Sequence, residues 1–344
     1  MATTGQTDRK KGKAVKWLLT VVGVIAALGV AGAYYYHTLT PQQHFVAGNI
    51  PVVSKPTVAA VTTAATAGVT TSASLPAASK DRVFNVLLLG SDEQTTNIAS
   101  RTDSIMLVHV DIDTQTYNIL SIPRDTRINL PGYGETKITH ASYMGGLAGG
   151  PAAAMKSTLD AVSNLTGVAI NYFAETDYRG LQGMVDAVGG VEVTIPYRIA
   201  LTYPWYSADK GKVFNPGTYF LNGQMATEIV HERYSLQNGD FGRQQTQEIV
   251  LKAILKKAMN PANIANLPQL IAAAHSFLIN TNMSTEDMLS LAIGLKGLKA
   301  GDIHYYQLTG HSLYAMDPIV QTNLYYFVPD MQQLNTIIAQ HFAN

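Results

Sequence analysis

The chain has 344 residues, 47% of them hydrophobic and 14% charged, with 24 basic side chains against 24 acidic ones. That length and apolar content suffice for one large or two ordinary domains with a real core. The absence of cysteine excludes disulfides, thiolate metal sites and thiol catalysis.

Five basic residues, Arg9, Lys10, Lys11, Lys13 and Lys16, face only Asp8 at the N-terminus, so the remainder carries an acidic excess. Affinity for a phosphate backbone comes from clustered basic charge, and nucleic-acid binding is set aside on that ground. Trp17–Tyr36 is an uncharged run of 20 residues. At about 1.5 Å per residue it spans a hydrocarbon core of roughly 30 Å. Aromatic residues, Trp17 and Tyr34 to Tyr36, stand at its ends, and the basic flank places the N-terminus in the cytoplasm and everything after Tyr36 outside. A cleaved signal peptide is the rival, since Ala31-Gly32-Ala33 resembles a cleavage site. The run exceeds the usual h-region of about 7–15 residues, which favours an uncleaved anchor.

Pro56–Ser79 is almost wholly Ala, Thr, Val, Ser and Pro, without charge or aromatic residue. Such a segment cannot assemble a core and reads as a linker. The plan is then a basic tail over 1–16, an anchor over 17–36, an extracytoplasmic linker over 37–80 and a folded domain over 81–344.

Within that domain, Val83–Leu89 is a nearly continuous apolar run closed by Gly90, as expected of a buried central strand. Ser104–Val110 and Thr116–Ile122 flank Asp111-Ile112-Asp113-Thr114 and predict neighbouring strands joined by a tight turn. Pro151 opens a helix with Met155, Leu159 and Val162 on one face. Tyr172–Asp177 and Val191–Ile195 predict strands around a helix over Tyr178–Val188 that Gly189-Gly190 ends. Helices are expected over Asn222–Arg233 and Arg243–Met259. Beyond Pro261 come two helical patterns, strands over Ile303–Leu308 and Tyr325–Val328, and a last helix after Pro329. Interleaved strands and helices point to an α/β or α+β sandwich.

Three runs carry chemistry. Gly90-Ser91-Asp92 follows a buried strand, where ligand sites of α/β sheets gather, and Arg101-Thr102-Asp103 precedes the next. Arginine offers a rigid five-donor fork to phosphate oxygens, and aspartate holds a hard cation such as Mg²⁺. In Ser121-Ile122-Pro123-Arg124-Asp125-Thr126 the proline ends a strand and fixes where Arg124 emerges; a structural role is the better reading for Asp125. Gly239-Asp240-Phe241-Gly242 reads as a loop, with Arg243 beginning a helix. Arg243 and Gln247 share a face, the arginine dominating and the glutamine orienting, while Asp240 is a loop or capping residue. Arg233 sits near a helix end, where a solvated cation is the ordinary expectation. His231-Glu232 lacks the second histidine of a zinc motif, and there is no phosphate loop or G-x-S-x-G elbow, so ATP hydrolysis and serine-esterase chemistry are not expected.

In order, Leu87 to Asp92, Arg101 to Leu107, Ser121 to Thr126, Lys137-Ile138, Asp186 to Val191 and Gly239 to Gln245 resemble the LytR-CpsA-Psr family of envelope proteins, over roughly residues 82–258. The short tail and single span match the family's layout. The resemblance implies a mixed-sheet α/β/α sandwich whose interior takes up a polyprenyl chain. It further implies transfer of a glycopolymer from a polyprenyl-pyrophosphate carrier to peptidoglycan at the membrane surface. Asp92 and Asp103 would then hold Mg²⁺, with Mn²⁺ as a substitute. Arg101, Arg124, Arg233 and Arg243, with Gln247, would cradle the pyrophosphate, and Arg101, Asp103, Arg124 and Arg243 would be the catalytic set. The chain departs from the pattern at Gln94, His231 and Thr246, where family members commonly carry arginine. Residues 261–344 hold no interpretable motif. The rivals are a non-catalytic protein that binds lipid-linked sugars and modulates assembly, and a phosphohydrolase releasing lipid monophosphate. On this reading Arg243→Ala abolishes transfer with little loss of stability.

Overall fold

The computed structural model of the chain describes residues 34–57, 81–92, 100–260, 263 and 266–342. The basic tail, the apolar run up to residue 33, residues 58–80 of the expected linker and Gln94 lie outside the described residues. Among the described residues no helix is long and apolar enough to cross a membrane.

After helical residues 34–38 come helix α1 (Pro41–His44), β1 (Val83–Ser91), β2 (Thr102–Asp111), β3 (Thr116–Ser121), β4 (Arg127–Leu130) and β5 (Gly134–Lys137). Then come α2 (His140–Thr166), β6 (Tyr172–Thr176), α3 (Tyr178–Ala187) and β7 (Val191–Ile195). The short strands β8 (Ile199–Ala200), β9 (Val213–Phe214) and β10 (Gly217–Leu221) precede helices α4 (Gly223–His231), α5 (Asp240–Ala258) and α6 (Leu267–Ser276). The last elements are β11 (Asn280–Thr281), α7 (Thr285–Gly294), β12 (Ile303–Gln307), β13 (Gly310–Asp317), β14 (Thr322–Pro329) and α8 (Met331–His341).

The central sheet has six strands in the order β11-β6-β1-β2-β3-β12. It is mixed: β1 pairs antiparallel with β2, β2 with β3 and β6 with β11, while β1–β6 and β3–β12 are parallel. Alternation sends Leu87, Leu89, Ile105, Leu107 and Leu120 to one face, against Met155, Leu159 and Val162 of α2. Phe84, Val86, Met106, Val110 and Ile119 point the other way, towards Leu251 and Leu255 of α5 and Met288 and Leu291 of α7. Both faces are thereby covered, which is why β1 and β2 read as continuous apolar runs rather than alternating ones. A third cluster joins β7, β10, α3 and α4 to α5.

Most expected elements fall within a few residues of their observed bounds, with three corrections. Helix α2 begins at His140 with a segment the sequence did not announce; both glycines of Gly149-Gly150 leave helical geometry, so Pro151 opens its second segment as expected. Helix α5 starts at Asp240, so the Gly239–Gly242 run is not a loop. The segment before Asp81 is also not all linker. Phe45 is 1% exposed and packs on Phe84 with centroids 4.7 Å apart. His44 Nε2 lies 2.8 Å from Asp287 Oδ1, and the Val53 amide donates to Ile170 at 2.9 Å. Residues 41–57 thus belong to the folded unit. Their polar surroundings hid this, because a single aromatic filling a hole over β1 and β6 leaves no periodic pattern. The strands β4, β5, β8 to β11 and β13 were also not anticipated; most are too short to show alternation.

Because Phe45 closes the face of the sheet opposite α2, Phe45→Ala should destabilise the domain by about 3–5 kcal/mol. Denaturant unfolding of the purified chain measures this; a loss below about 1 kcal/mol would return residues 41–57 to the linker.

Candidate functional site

The pairing of β1 with β2 sets Gly90 opposite Ser104 and Ser91 opposite Thr102, leaving Asp103 as the extra residue of a bulge. A bulge re-aims a side chain out of the regular alternation. Asp103 becomes the centre of the site. Its Oδ1 accepts from Arg124 Nη1 at 2.6 Å, its carbonyl accepts from Arg243 Nη2 at 2.7 Å, and its Oδ2 lies 3.8 Å from Arg243 Nη1.

Arg124 is held by the turn that Pro123 starts. The Thr126 hydroxyl donates to the Pro123 carbonyl at 2.6 Å, and the Thr139 amide donates to the Arg124 carbonyl at 3.2 Å. Asp125 is taken by Lys137, whose Nζ lies 2.6 Å from its Oδ1. Burial opposes the Arg124 charge, but Asp103, Asp125 and Asp240 outweigh it and hold the guanidinium above its ordinary value.

Every residue of Gly239-Asp240-Phe241-Gly242 acts to seat Arg243. Gly239 takes φ of 53°, a left-handed conformation ahead of the first turn. Asp240 does not cap the helix; its Oδ1 lies 2.6 Å from Arg243 Nη2. Phe241 packs edge-on against Phe327 at 5.2 Å, and a Cβ on Gly242 would meet Leu236 at 2.9 Å. Gln244 ties the turn to the sheet by accepting from the Ser121 hydroxyl at 2.8 Å. Arg243 is 4% exposed, and its amide donates to the Gly239 carbonyl at 3.1 Å. That amide is therefore not free to hold an anion, which corrects the expectation of a helix start at this residue. Burial presses Arg243 below its ordinary value; Asp240 and Asp103 resist this, and Arg124 and Arg233 add to it.

The remaining expected residues surround this centre. Arg233 follows the end of α4, with Nη2 donating to the Tyr234 hydroxyl at 3.0 Å, and its charge reaches Arg243. Gln247 Oε1 accepts from the Ser104 hydroxyl at 3.2 Å. Asp92 Oδ1 accepts from the Arg101 amide at 2.7 Å. Burial raises the Asp92 carboxyl above its ordinary range, the Arg101 amide opposes this and the nearby Asp103 charge adds to it. Arg101 itself is exposed and lies over the Tyr143 ring at 5.5 Å, outside the Arg124–Asp103–Arg243 contact. Of the departures from the resemblance, Thr246 is buried and within 2.9 Å of the Tyr197 hydroxyl. His231 ends α4 against Trp205, with ring centroids 4.7 Å apart. Burial, with Arg243 and Arg233, holds His231 below the ordinary histidine range, so it adds no charge at neutral pH.

Chemically, the site is a set of donors in search of acceptors. The Nε atoms of Arg124 and Arg243 are both buried without a hydrogen-bond partner among the described residues. An unpaired buried donor costs about 1–3 kcal/mol, which an oxygen acceptor from a ligand or an ordered water would offset. On the face covered by α5 and α7, Leu88, Val108 and Tyr305 of the sheet and Leu251, Leu255, Met288 and Leu291 of the helices pack into one cluster and stay partly exposed. On the other face a cavity of about 390 Å³ opens between the sheet and α2, lined by Leu89, Thr102, Met155, Thr158 and Ile279 among others. For a metal, among the described residues no group of three or more His, Asp or Glu comes together. Asp92 and Asp103, the pair that the resemblance gives to Mg²⁺, lie close enough for their charges to interact, and that ion is commonly held by one or two carboxylates plus waters and substrate phosphate.

Comparison with known proteins bears on the family and the fold. The LytR_cpsA_psr family model matches residues 52–342. A polyisoprenyl-teichoic acid–peptidoglycan teichoic acid transferase, TagV of Bacillus subtilis (strain 168), is 30% identical over 264 residues, 75% of this chain. The match covers 63% of that relative's length. The crystal structure of Bacillus subtilis TagV superposes with a TM-score of 0.63 at 27% identity, covering 76% of this chain and 98% of the other. A structure of the LytR-CPS2A-psr family protein YwtF (TagT) with bound octaprenyl pyrophosphate lipid superposes with a TM-score of 0.55 at 27% identity, over 75% of this chain and 88% of that one.

Two outcomes follow. Asp240→Ala leaves the buried Arg243 charge short of a partner and should cost about 3 kcal/mol, read by denaturant unfolding; a change within 0.5 kcal/mol, as at ordinary surface sites, would deny Asp240 its role. For pH, His231 and His140 are both lowered, burial being the first cause in each. The unfolded chain then binds more protons below about pH 6.5, so stability is present above that value and is lost as pH falls towards the lowered folded values. His231→Gln should flatten part of that loss in thermal unfolding between about pH 5 and 7.5; an unaltered slope would show that His231 takes up its proton over the same pH range in the folded and unfolded chain.

Proposed function

The chain belongs to the LytR-CpsA-Psr family, and from that premise we propose that it is a phosphotransferase moving a glycopolymer from a polyprenyl-pyrophosphate carrier to peptidoglycan. The observation that carries this reading is the convergence of Arg124 and Arg243 on Asp103, each with a buried unpartnered Nε. Arg124 and Arg243 grip the pyrophosphate, with Arg233 at the rim and Arg101 on the Asp92 side. The cavity against α2, which Thr102 lines next to Asp103, is the slot that takes the polyprenyl chain, in keeping with the octaprenyl pyrophosphate in the solved relative.

A sugar hydroxyl of peptidoglycan attacks the phosphorus that bears the glycopolymer. The new O–P bond forms as the bridging P–O bond breaks, and polyprenyl monophosphate departs with the electron pair. The hydroxyl proton leaves to the Asp103 carboxylate or to water. Fixed guanidinium charges neutralise the phosphate oxygens as the negative charge shifts, which is where preorganised electrostatics lower a barrier. Asp92 and Asp103 are the residues that would hold Mg²⁺ or Mn²⁺; such an ion supplies Lewis-acid polarisation of phosphoryl oxygens. The uncharged run up to Tyr36 anchors the chain in the membrane with the domain outside, which puts the slot near the lipid carrier.

A second reading, binding without transfer, is favoured by two particular residues. Where family members commonly carry arginine, Thr246 is buried against Tyr197 and His231 is neutral. The cradle is correspondingly weaker in charge.

The structure changes how the site is tested. Arg243 is buried between two acidic partners, so Arg243→Ala costs stability as well as activity, contrary to the sequence expectation. Arg243→Lys keeps a charge but loses the fork. With polyprenyl-pyrophosphate oligosaccharide, peptidoglycan fragments and Mg²⁺, Arg243→Lys should lower attachment of sugar to the acceptor by ~10³-fold. Chelation of divalent ions should abolish attachment and re-addition restore it. Lipid binding without attachment would establish the second reading, and product free in solution would establish a hydrolase.

A further inference from the structure

Just outside the arginine cradle stand two rings that packing does not explain. Tyr203 and Tyr234 are each 60% exposed, and they meet edge to face with centroids 4.8 Å apart. They come from different segments, one between β8 and β9 and the other after α4. One buried carboxylate fastens both. Glu232, 3% exposed, accepts from the Thr202 amide at 2.6 Å through Oε2 and from the Ser235 amide at 2.9 Å through Oε1. Each of those amides belongs to a residue adjacent in sequence to one of the tyrosines. The same loop is fixed again by Glu228, fully buried, whose oxygens accept from the Trp205 amide at 2.9 Å and the Tyr206 amide at 2.8 Å.

Burying carboxylates is costly unless their oxygens are bonded. Here all four oxygens accept main-chain N–H groups, and the result is a rigid loop presenting exposed aromatics. Rigid, exposed tyrosines offer large contact area at low entropic cost and mark binding surfaces more than cores. Their position identifies the ligand class. The Arg233 guanidinium lies over the Tyr234 ring at 4.9 Å and donates to its hydroxyl at 3.0 Å, and Arg233 in turn is felt by Arg243 and His231. The ring pair therefore adjoins the phosphate-binding side chains.

We propose that Tyr203 and Tyr234 form a pyranose subsite for the carrier-linked donor, taking the sugar ring next to the pyrophosphate held by the arginines. This rests on the function proposed above. A pyranose has an apolar C–H face and a hydroxyl edge, which match an aromatic ring ending in a hydroxyl. A bilayer interface also attracts tyrosine, but an interfacial ring needs no buried carboxylate to pin it against a second ring. Tyr203 acts by contact with the sugar; Tyr234 also positions Arg233.

The test uses the full chain and two probes, bare polyprenyl pyrophosphate and polyprenyl pyrophosphate carrying a disaccharide. Tyr203→Ala should weaken binding of the disaccharide carrier about tenfold and of the bare carrier by less than about twofold. Tyr203→Phe, which keeps the ring, should bind both carriers nearly as the unsubstituted chain does. Tyr234→Ala should weaken both, because it also frees Arg233, whereas Tyr234→Phe should keep most discrimination. Bare-carrier binding by the unsubstituted chain reports on the cradle independently, so failure of the pyrophosphate reading is not mistaken for failure of this one. Equal effects of Tyr203→Ala on the two carriers, or none, would overturn the subsite. So would a loss seen in nanodiscs but absent in detergent, which would make the rings a membrane contact. An unchanged donor affinity with a raised KM for peptidoglycan would move the rings to the acceptor and overturn the donor assignment.

Discussion

The structure of the site depends on one buried cation. Arg243 is almost wholly withdrawn from water, and a guanidinium is tolerated there because Asp240 and the carbonyl and carboxylate of Asp103 surround it. Asp103 reaches it because of a bulge in β2; Asp240 reaches it because both belong to one helical turn. Arg124 then joins from the end of β3, sharing Asp103. Remove any partner and the others carry uncompensated charge, so the cradle behaves as a unit. Such an arrangement specifies geometry more than it adds stability, and geometry is what phosphate recognition needs.

The sheet beneath shows the same division between stability and use. The face against α2 is filled at its centre, where Leu87, Leu107, Leu120 and Val162 are fully buried, yet a cavity of about 390 Å³ opens beside Leu89, Thr102 and Met155. The opposite face holds apolar side chains that stay partly exposed between the strands and helices α5 and α7. Closing the cavity would gain roughly 25 cal/mol per Å² of apolar surface buried. Leaving it open keeps room for a ligand, while the face covered by α5 and α7, with Phe45 packed on Phe84, supplies the complementary packing.

Fixed loops complete the cradle's outer side. Glu228 and Glu232 spend their buried carboxylates on main-chain amides, so the aromatic residues nearby hold their places without packing. His231, neutral against Trp205, and Thr246, bonded to Tyr197, make this cradle less charged than the family's pattern implies.

The sequence by itself determined the mixed arrangement of strands and helices, because long apolar runs such as Val83–Leu89 and punctuation such as Gly189-Gly190 are local signals. It also singled out Asp103, Arg124 and Arg243, which the fold brings into contact, because arginine and aspartate at strand and helix ends are recognisable by type. It could not show that Asp240 serves Arg243 rather than the helix end, since a capping aspartate and an ion-pairing one look alike in one dimension. Nor could it place Phe45 in the core, or join Tyr203 to Tyr234, thirty-one positions apart. Those facts depend on distances set by the sheet and by two buried carboxylates. Local propensity is written residue by residue, whereas the partner of a buried charge is decided only when the whole chain has closed around it.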